Sequence, residues 1–195
     1  MKTIIEILER HDIHGFEKSG GTDKGTLHSY TAAYEKLLAP FVDKEIAMLE
    51  VGIQYGGSSL MWHDYLPHAK LTLVDIRNQV AGHIFEKMDS SRYDMLIGDA
   101  YSPEMIGNIR LDFPHGFDVA IDDGPHSLHS QILFIQNYLS MIKPGGVLII
   151  EDIQSFDSIE ILKTVTPEEF KSNIEVIDLR GVKGRYDDIM FVIRK

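Results

Sequence analysis

Five short apolar runs, each closing on an acid, constrain this chain more than any other feature of its sequence. They are EIAMLEVG (45–52), KLTLVDI (70–76), YDMLIGDA (93–100), FDVAIDDG (117–124) and GVLIIEDI (146–153). A strand covered by helices on both faces of its sheet reads as a nearly continuous apolar run. Stretches of helical length and amphipathic pattern separate the runs, at 57–66, about 79–89, 103–110 and 127–142. This alternation predicts an α/β fold with a Rossmann-like, doubly wound, mostly parallel sheet. KPGG (143–146) is expected to stop the helix before the fifth strand. Two last apolar runs, IEVIDL (174–179) and DDIMFVIRK (187–195), are joined by a glycine-containing turn. They predict an antiparallel hairpin that completes seven strands.

Ahead of the first strand, Ile4, Ile5 and Leu8 mark a short amphipathic helix over 2–11. KSGGTDKGT (18–26) is a polar, glycine-rich loop by composition. SYTAAYEKLLAPF then predicts a second helix with Tyr30, Tyr34, Leu37 and Leu38 on one face, ended by Pro40. The organisation expected is one domain over 1–195, with 1–40 a helical lid or extension and 45–195 the core.

The balance of charge excludes some functions. Nineteen basic and thirty acidic residues give a formal charge of −11. With no basic patch, such a surface repels phosphate backbones, so no nucleic-acid partner is expected. The absence of cysteine excludes disulfides and thiolate metal sites. No apolar run approaches the ~20 residues of a membrane span, and MKTIIEILERHDI breaks its apolar stretch with acids, unlike a signal peptide. The expectation is a cytoplasmic protein with no membrane partner.

In open parallel sheets ligands bind beyond the carboxyl ends of the strands. Glu50, Asp75, Asp99, Asp122, Asp123, Glu151 and Asp152 all fall there. Seven acids on one rim repel each other unless a cation gathers them. The first of these ends runs into LEVGIQYGGSSL, a glycine-rich turn between strand and helix. Its glycines, Gly52, Gly56 and Gly57, depart from the G-x-G-x-x-G spacing that an NAD-linked oxidoreductase would show.

Together, GTDKGTLHSYTAAYE, LEVGIQYGGSSLMW, LVDI, IDDGPHSLHSQ and GGVLIIEDI resemble the magnesium-dependent sugar O-methyltransferases of antibiotic biosynthesis. These are class I S-adenosylmethionine (SAM) enzymes of the mycinamicin and macrocin types, grouped broadly with the cephalosporin-hydroxylase-like proteins. The likeness runs over roughly residues 20–155. Some members carry a large additional N-terminal domain, for which this chain is expected to have no room. The resemblance implies a metal site of Asp123, Glu151 and Asp152, an all-oxygen set suited to Mg2+ or Mn2+. It implies His126, in the D-G-x-H motif, as the catalytic base. For the cofactor SAM, it implies Gly52, Gly56 and Gly57 under the methionine and ribose, Glu50 supporting that loop, and Asp75 on the ribose hydroxyls. Asp99 and Ala100 would border the adenine, while Thr22, Lys24 and Tyr30 would close over the cofactor. His28 is left between pocket lining and lid; His129 reads as an exposed helix residue and Trp62 as packing.

The function so implied is metal-assisted O-methylation of a small-molecule or glycan hydroxyl, on a sugar or glycoconjugate, in a chain that admits homo-oligomers. The rivals are a non-catalytic SAM- or metal-binding module, a methyltransferase of catechol-like acceptors, and an NAD-linked oxidoreductase.

Overall fold

A computed structural model describes residues 2–15 and 18–195. The strands are β1 (Ile46–Val51), β2 (Ala69–Asp75), β3 (Tyr93–Ile97), β4 (Phe117–Asp122), β5 (Ile142–Ile150), β6 (Ile174–Asp178) and β7 (Ile189–Arg194). They form one seven-stranded sheet in the order β3-β2-β1-β4-β5-β7-β6. Only β7 runs against its neighbours, pairing antiparallel with β5 and β6. The order reverses direction between β1 and β4, which is where a doubly wound sheet opens a crevice.

The helices are α1 (Ile4–His11), α2 (Thr31–Leu38), α3 (Gly57–Tyr65), α4 (Gly82–Phe85), α5 (Pro103–Asp112), α6 (Leu128–Tyr138), α7 (Phe156–Val165) and α8 (Arg180–Lys183). Short polar residues start most of the longer ones. Thr3 and Glu6 form a capping box on α1, and the hydroxyls of Ser102, Ser127 and Ser155 accept from Met105, Ser130 and Ser158. On one sheet face α1, α2 and α3 bury Ile7, Leu8, Leu37, Met61 and Trp62. On the other, α5, α6 and α7 bury Ile109, Phe134, Tyr138 and Leu162. The N-terminal helices α1 and α2 thus pack into the core on the first of these faces.

Three local expectations are corrected. The helix expected over 79–89 shrinks to α4, in which only Ile84 is buried, and Asp89 starts a separate turn at Ser90–Arg92. KPGG does not stop a helix. Helix α6 ends earlier, and Lys143–Gly146 lie inside β5, where Gly145 takes φ +82 and donates to the Lys195 carbonyl at 2.6 Å. The β4–β5 register shifts beside them, so these residues bulge out of the ladder. Finally, α7 fills a stretch whose pattern predicts little, and the one-turn α8 sits between β6 and β7. Among the described residues no helix is long and apolar enough to cross a membrane.

Candidate active site

Main-chain hydrogen bonds carry the sheet one step past its strands and so align the loops. Gly52 N–H donates to the Val74 carbonyl (2.8 Å), Asp123 N–H to Val51 (2.8 Å) and Glu151 N–H to Asp122 (3.0 Å). The loops after β1, β4 and β5 thus meet on one rim. Gly52 is required there: at φ +84, a Cβ would lie 2.0 Å from the Asp123 carbonyl oxygen. Gly57, at the start of α3, lets the 20–21 backbone approach, since its Cβ would lie 2.5 Å from the Gly20 carbonyl oxygen.

Above this rim lies a cavity of about 900 Å³. Six residues expected at the cofactor line it: Thr22, Gly52, Gly57, Asp75, Asp99 and Ala100. Asp75 shapes the glycine loop directly, accepting on Oδ2 from the N–H groups of Ile53 (3.0 Å) and Gln54 (2.9 Å). Asp123, His126 and Asp152 line the cavity as well. One ligand atom from each of these three falls within 4.8 Å of the other two. His126 Nε2 lies 3.5 Å from Asp152 Oδ2 and 3.9 Å from Asp123 Oδ1. His126 is only partly buried and holds φ +54, an uncommon backbone region for a histidine. His129, expected to be exposed, is exposed and also edges the cavity.

Four of the expected cofactor residues do not line the cavity. Gly56 is not on the cavity wall; it stands in the left-handed region before α3, against Val80 and Ile84. Glu50 is fully buried beneath the loop, accepting from Ser59 Oγ (3.0 Å) and Trp62 Nε1 (2.7 Å), which places Trp62 in the core as its pattern predicts. Lys24 does not close over the cavity. Its buried ammonium donates to Asp123 Oδ2 (2.5 Å) and to Glu151 Oε1 (2.8 Å) and Oε2 (2.6 Å). Tyr30 turns away too, its hydroxyl donating to Asp152 Oδ1 at 2.5 Å. A buried charge needs a counter-charge, and the carboxylates supply it where solvent cannot. Glu151, expected as a metal ligand, is accordingly held on the buried side by Lys24 and by the Tyr34 hydroxyl.

The electrostatics follow from this crowding. Burial and then the Asp123 charge push the Glu151 carboxyl well above the usual range. The same two causes raise Asp152, against the opposing pull of His28 and His126. Burial lowers Lys24, but Asp123, Glu151 and Glu50 together outweigh it and hold the ammonium well above its ordinary value. Burial pushes Asp122 up to about 6, although the Tyr101 hydroxyl opposes it. The oxygens of Asp123 and Asp152, backed by acids that resist ionising together, suit a hard divalent ion such as Mg2+ or Mn2+, with the His126 imidazole beside them.

Several contributors escape sequence reasoning. Tyr30 and Tyr34 are one helical turn apart and read as an apolar face. Their hydroxyls instead reach the successive acids Asp152 and Glu151; the four-residue spacing was the available signal. His28 is buried, stacks on Tyr30 (4.8 Å) and sets Nδ1 3.2 Å from Asp152 Oδ1 and 3.4 Å from the fully buried Asp188. It is neither cavity wall nor lid.

Known methyltransferases resemble this chain in sequence and in fold. Residues 49–153 match a family described as a methyltransferase domain. A Streptomyces olivaceus protein named 8-demethyl-8-alpha-L-rhamnosyl tetracenomycin-C 2'-O-methyltransferase is 29% identical over 142 residues, 69% of this chain and 36% of that protein. Mycinamicin VI 2''-O-methyltransferase of Micromonospora griseorubida is 28% identical over 137 residues, 66% of this chain and 32% of that protein. The match therefore spans only about a third of these relatives' length. In fold, the chain superposes over 100% of its length on 53% of MycE, a methyltransferase of the mycinamycin pathway solved with Mg, SAH and mycinamycin VI (TM-score 0.72, 22% identity). A Bacillus cereus O-methyltransferase solved with SAH matches 98% of this chain and 89% of its own (TM-score 0.64, 14% identity).

Proposed function

Because the chain belongs to this family of methyltransferase domains, we propose that it transfers a methyl group from SAM to a hydroxyl of a sugar in a small-molecule glycoconjugate, with the help of a divalent cation. The observation that carries the proposal is the shared cavity. Asp75 and the Gly52 loop stand on its walls together with Asp123, His126 and Asp152. A donor held by the first group would be adjacent to a cation held by the second. The relatives named as O-methyltransferases of a rhamnosyl tetracenomycin and of mycinamicin VI support a glycoside hydroxyl as the acceptor. Family membership favours methyl over hydride transfer, in line with the broken dinucleotide spacing.

In this reading residues 1–195 act as one domain. Thr22, Gly52, Gly57 and Asp75 hold SAM, with Asp75 also fixing the loop that meets it, and Asp99 and Ala100 border its adenine. Asp123 and Asp152 hold the cation, with Glu151 behind them. A cation there would bind the acceptor oxygen and lower the cost of its developing negative charge. His126 Nε2 takes the hydroxyl proton. It sits beyond hydrogen-bond distance of both aspartates and so is free to accept one. As the O–CH3 bond forms and the S–CH3 bond breaks, opposite charges vanish, so a pocket that excludes water and aligns both partners favours the step.

The test is turnover of SAM with a rhamnosyl glycoside, a catechol, or no acceptor, each with Mg2+ or with EDTA. S-adenosylhomocysteine should form with the glycoside and Mg2+ and fail to form with EDTA. SAM binding without product from any hydroxyl acceptor would make the chain a binding module. Product from catechol alone would reassign the acceptor.

A further inference from the structure

We propose that Lys24 is a positioning residue that supplies the carboxylate cluster with one permanent positive charge, and so matches the cluster to a divalent rather than a trivalent cation. This rests on the metal reading above. All of the contacts its ammonium makes go to the cluster: one to Asp123 Oδ2 and two to Glu151. With a cation bound, the three strand-end carboxylates Asp123, Glu151 and Asp152 would all be ionised and carry three negative charges, of which Lys24 offsets one. The two left over equal the charge of Mg2+ or Mn2+. Glu50 has its own donors in Ser59 and Trp62. Tyr30 and Tyr34 bring neutral hydroxyls to Asp152 and Glu151.

The backbone around Lys24 keeps the ammonium in place. Upstream, Thr22 and Ile13 are joined by a hydrogen bond from Thr22 N–H to the Ile13 carbonyl (3.0 Å). Downstream, Lys183 of α8 donates to the carbonyls of Gly25 (2.8 Å), Thr26 (2.7 Å) and His28 (2.6 Å). The ammonium is thus delivered by a segment tied on both sides. Its repulsion acts on whatever ion binds Asp123, and repulsion grows with the ion's charge. Lys24 weakens a trivalent ion more than a divalent one.

The experiment compares affinities of the metal-free protein for Mn2+, read by loss of the free-ion EPR signal, and for Tb3+, read by its sensitised luminescence. In Lys24→Met the preference for Tb3+ over Mn2+ should rise at least tenfold relative to the unmutated protein. In Lys24→Arg, which keeps the charge, it should stay within about twofold. Lys24→Gln, which retains donors for Asp123 and Glu151 without the charge, should follow Met and serves if Met does not fold. If the lysine only braced the fold, its loss would weaken both ions alike, and an unchanged preference in the neutral variants overturns the proposal. Failure of the unmutated protein to bind either ion at millimolar concentration would instead overturn the metal reading and this inference with it.

Discussion

Trp62 donates its indole N–H to Glu50 at 2.7 Å in the floor beneath the glycine loop, where neither side chain meets solvent. Burial raises the Glu50 carboxyl against the pull of Lys24 and of the Trp62 bond. Trp62→Phe removes a donor and leaves a buried acceptor half-satisfied, which costs about 1–3 kcal/mol. Denaturant unfolding should show that loss, with SAM affinity nearly unchanged in the folded fraction. Full stability in Trp62→Phe would contradict a supporting role for Glu50.

Asp75 couples the cofactor wall to the loop that shapes it, because one oxygen accepts from both Ile53 and Gln54. Asp75→Ala frees two N–H groups and removes the carboxylate from the cavity. SAM affinity by calorimetry should fall at least tenfold, about 1.4 kcal/mol. An unchanged Kd would take Asp75 out of the cofactor site.

His126→Ala should lower kcat by about 10²–10⁴, the usual contribution of a general base. Mn2+ affinity should change by less than about tenfold if His126 handles the proton rather than the ion. A loss of Mn2+ binding that accounts for the whole loss of rate would make His126 a ligand instead.

These outcomes concern residues that were unequally legible in the sequence. The rim was readable because a strand buried on both faces is a continuous apolar run, and an acid ending it has one place to go. That puts Asp75, Asp123 and Asp152 on the rim, but it puts Glu50 and Glu151 there equally, and these turn inward; the resemblance, not the strand ends, singled out a metal set. Lys24 was not readable, because the composition of a glycine-rich loop does not say where a long flexible side chain will find its counter-charge. Tyr30 and Tyr34 were half readable: helical spacing put them on one face, but a tyrosine's ring and hydroxyl can serve core and site at once. Helix α7 was missed although Ser155 caps it and Ile159 and Leu162 are spaced to bury. KPGG was misplaced because glycine and proline mark a bulge as readily as a helix end.

Stability should fall in mild acid, and His63 is one cause. Burial and then the Arg92 guanidinium lower its pKa. Its Nε2 accepts from the Asp89 N–H (3.0 Å) and faces Arg92 (3.2 Å), so the folded state keeps the ring neutral. A depressed histidine contributes stability above its unfolded value of about 6.5 and loses it as pH falls below that value. Asp64 acts in the same direction at lower pH. Burial raises it, but bonds to His11 and His63 hold it below the usual range, so its contribution is lost as it protonates. Urea midpoints should drop between about pH 7.5 and 5.5, and less so in His63→Gln. An equal drop in that variant would remove His63 as a cause.

The most direct measurement is a crystal grown with Mn2+ and S-adenosylhomocysteine, examined for anomalous scattering. A manganese peak about 2.1 Å from oxygens of Asp123 and Asp152, with the nucleoside product on Asp75 in the same cavity, is the expected result. Product bound with no manganese at those aspartates, or manganese remote from the cavity, would contradict a cation and a methyl donor sharing this rim.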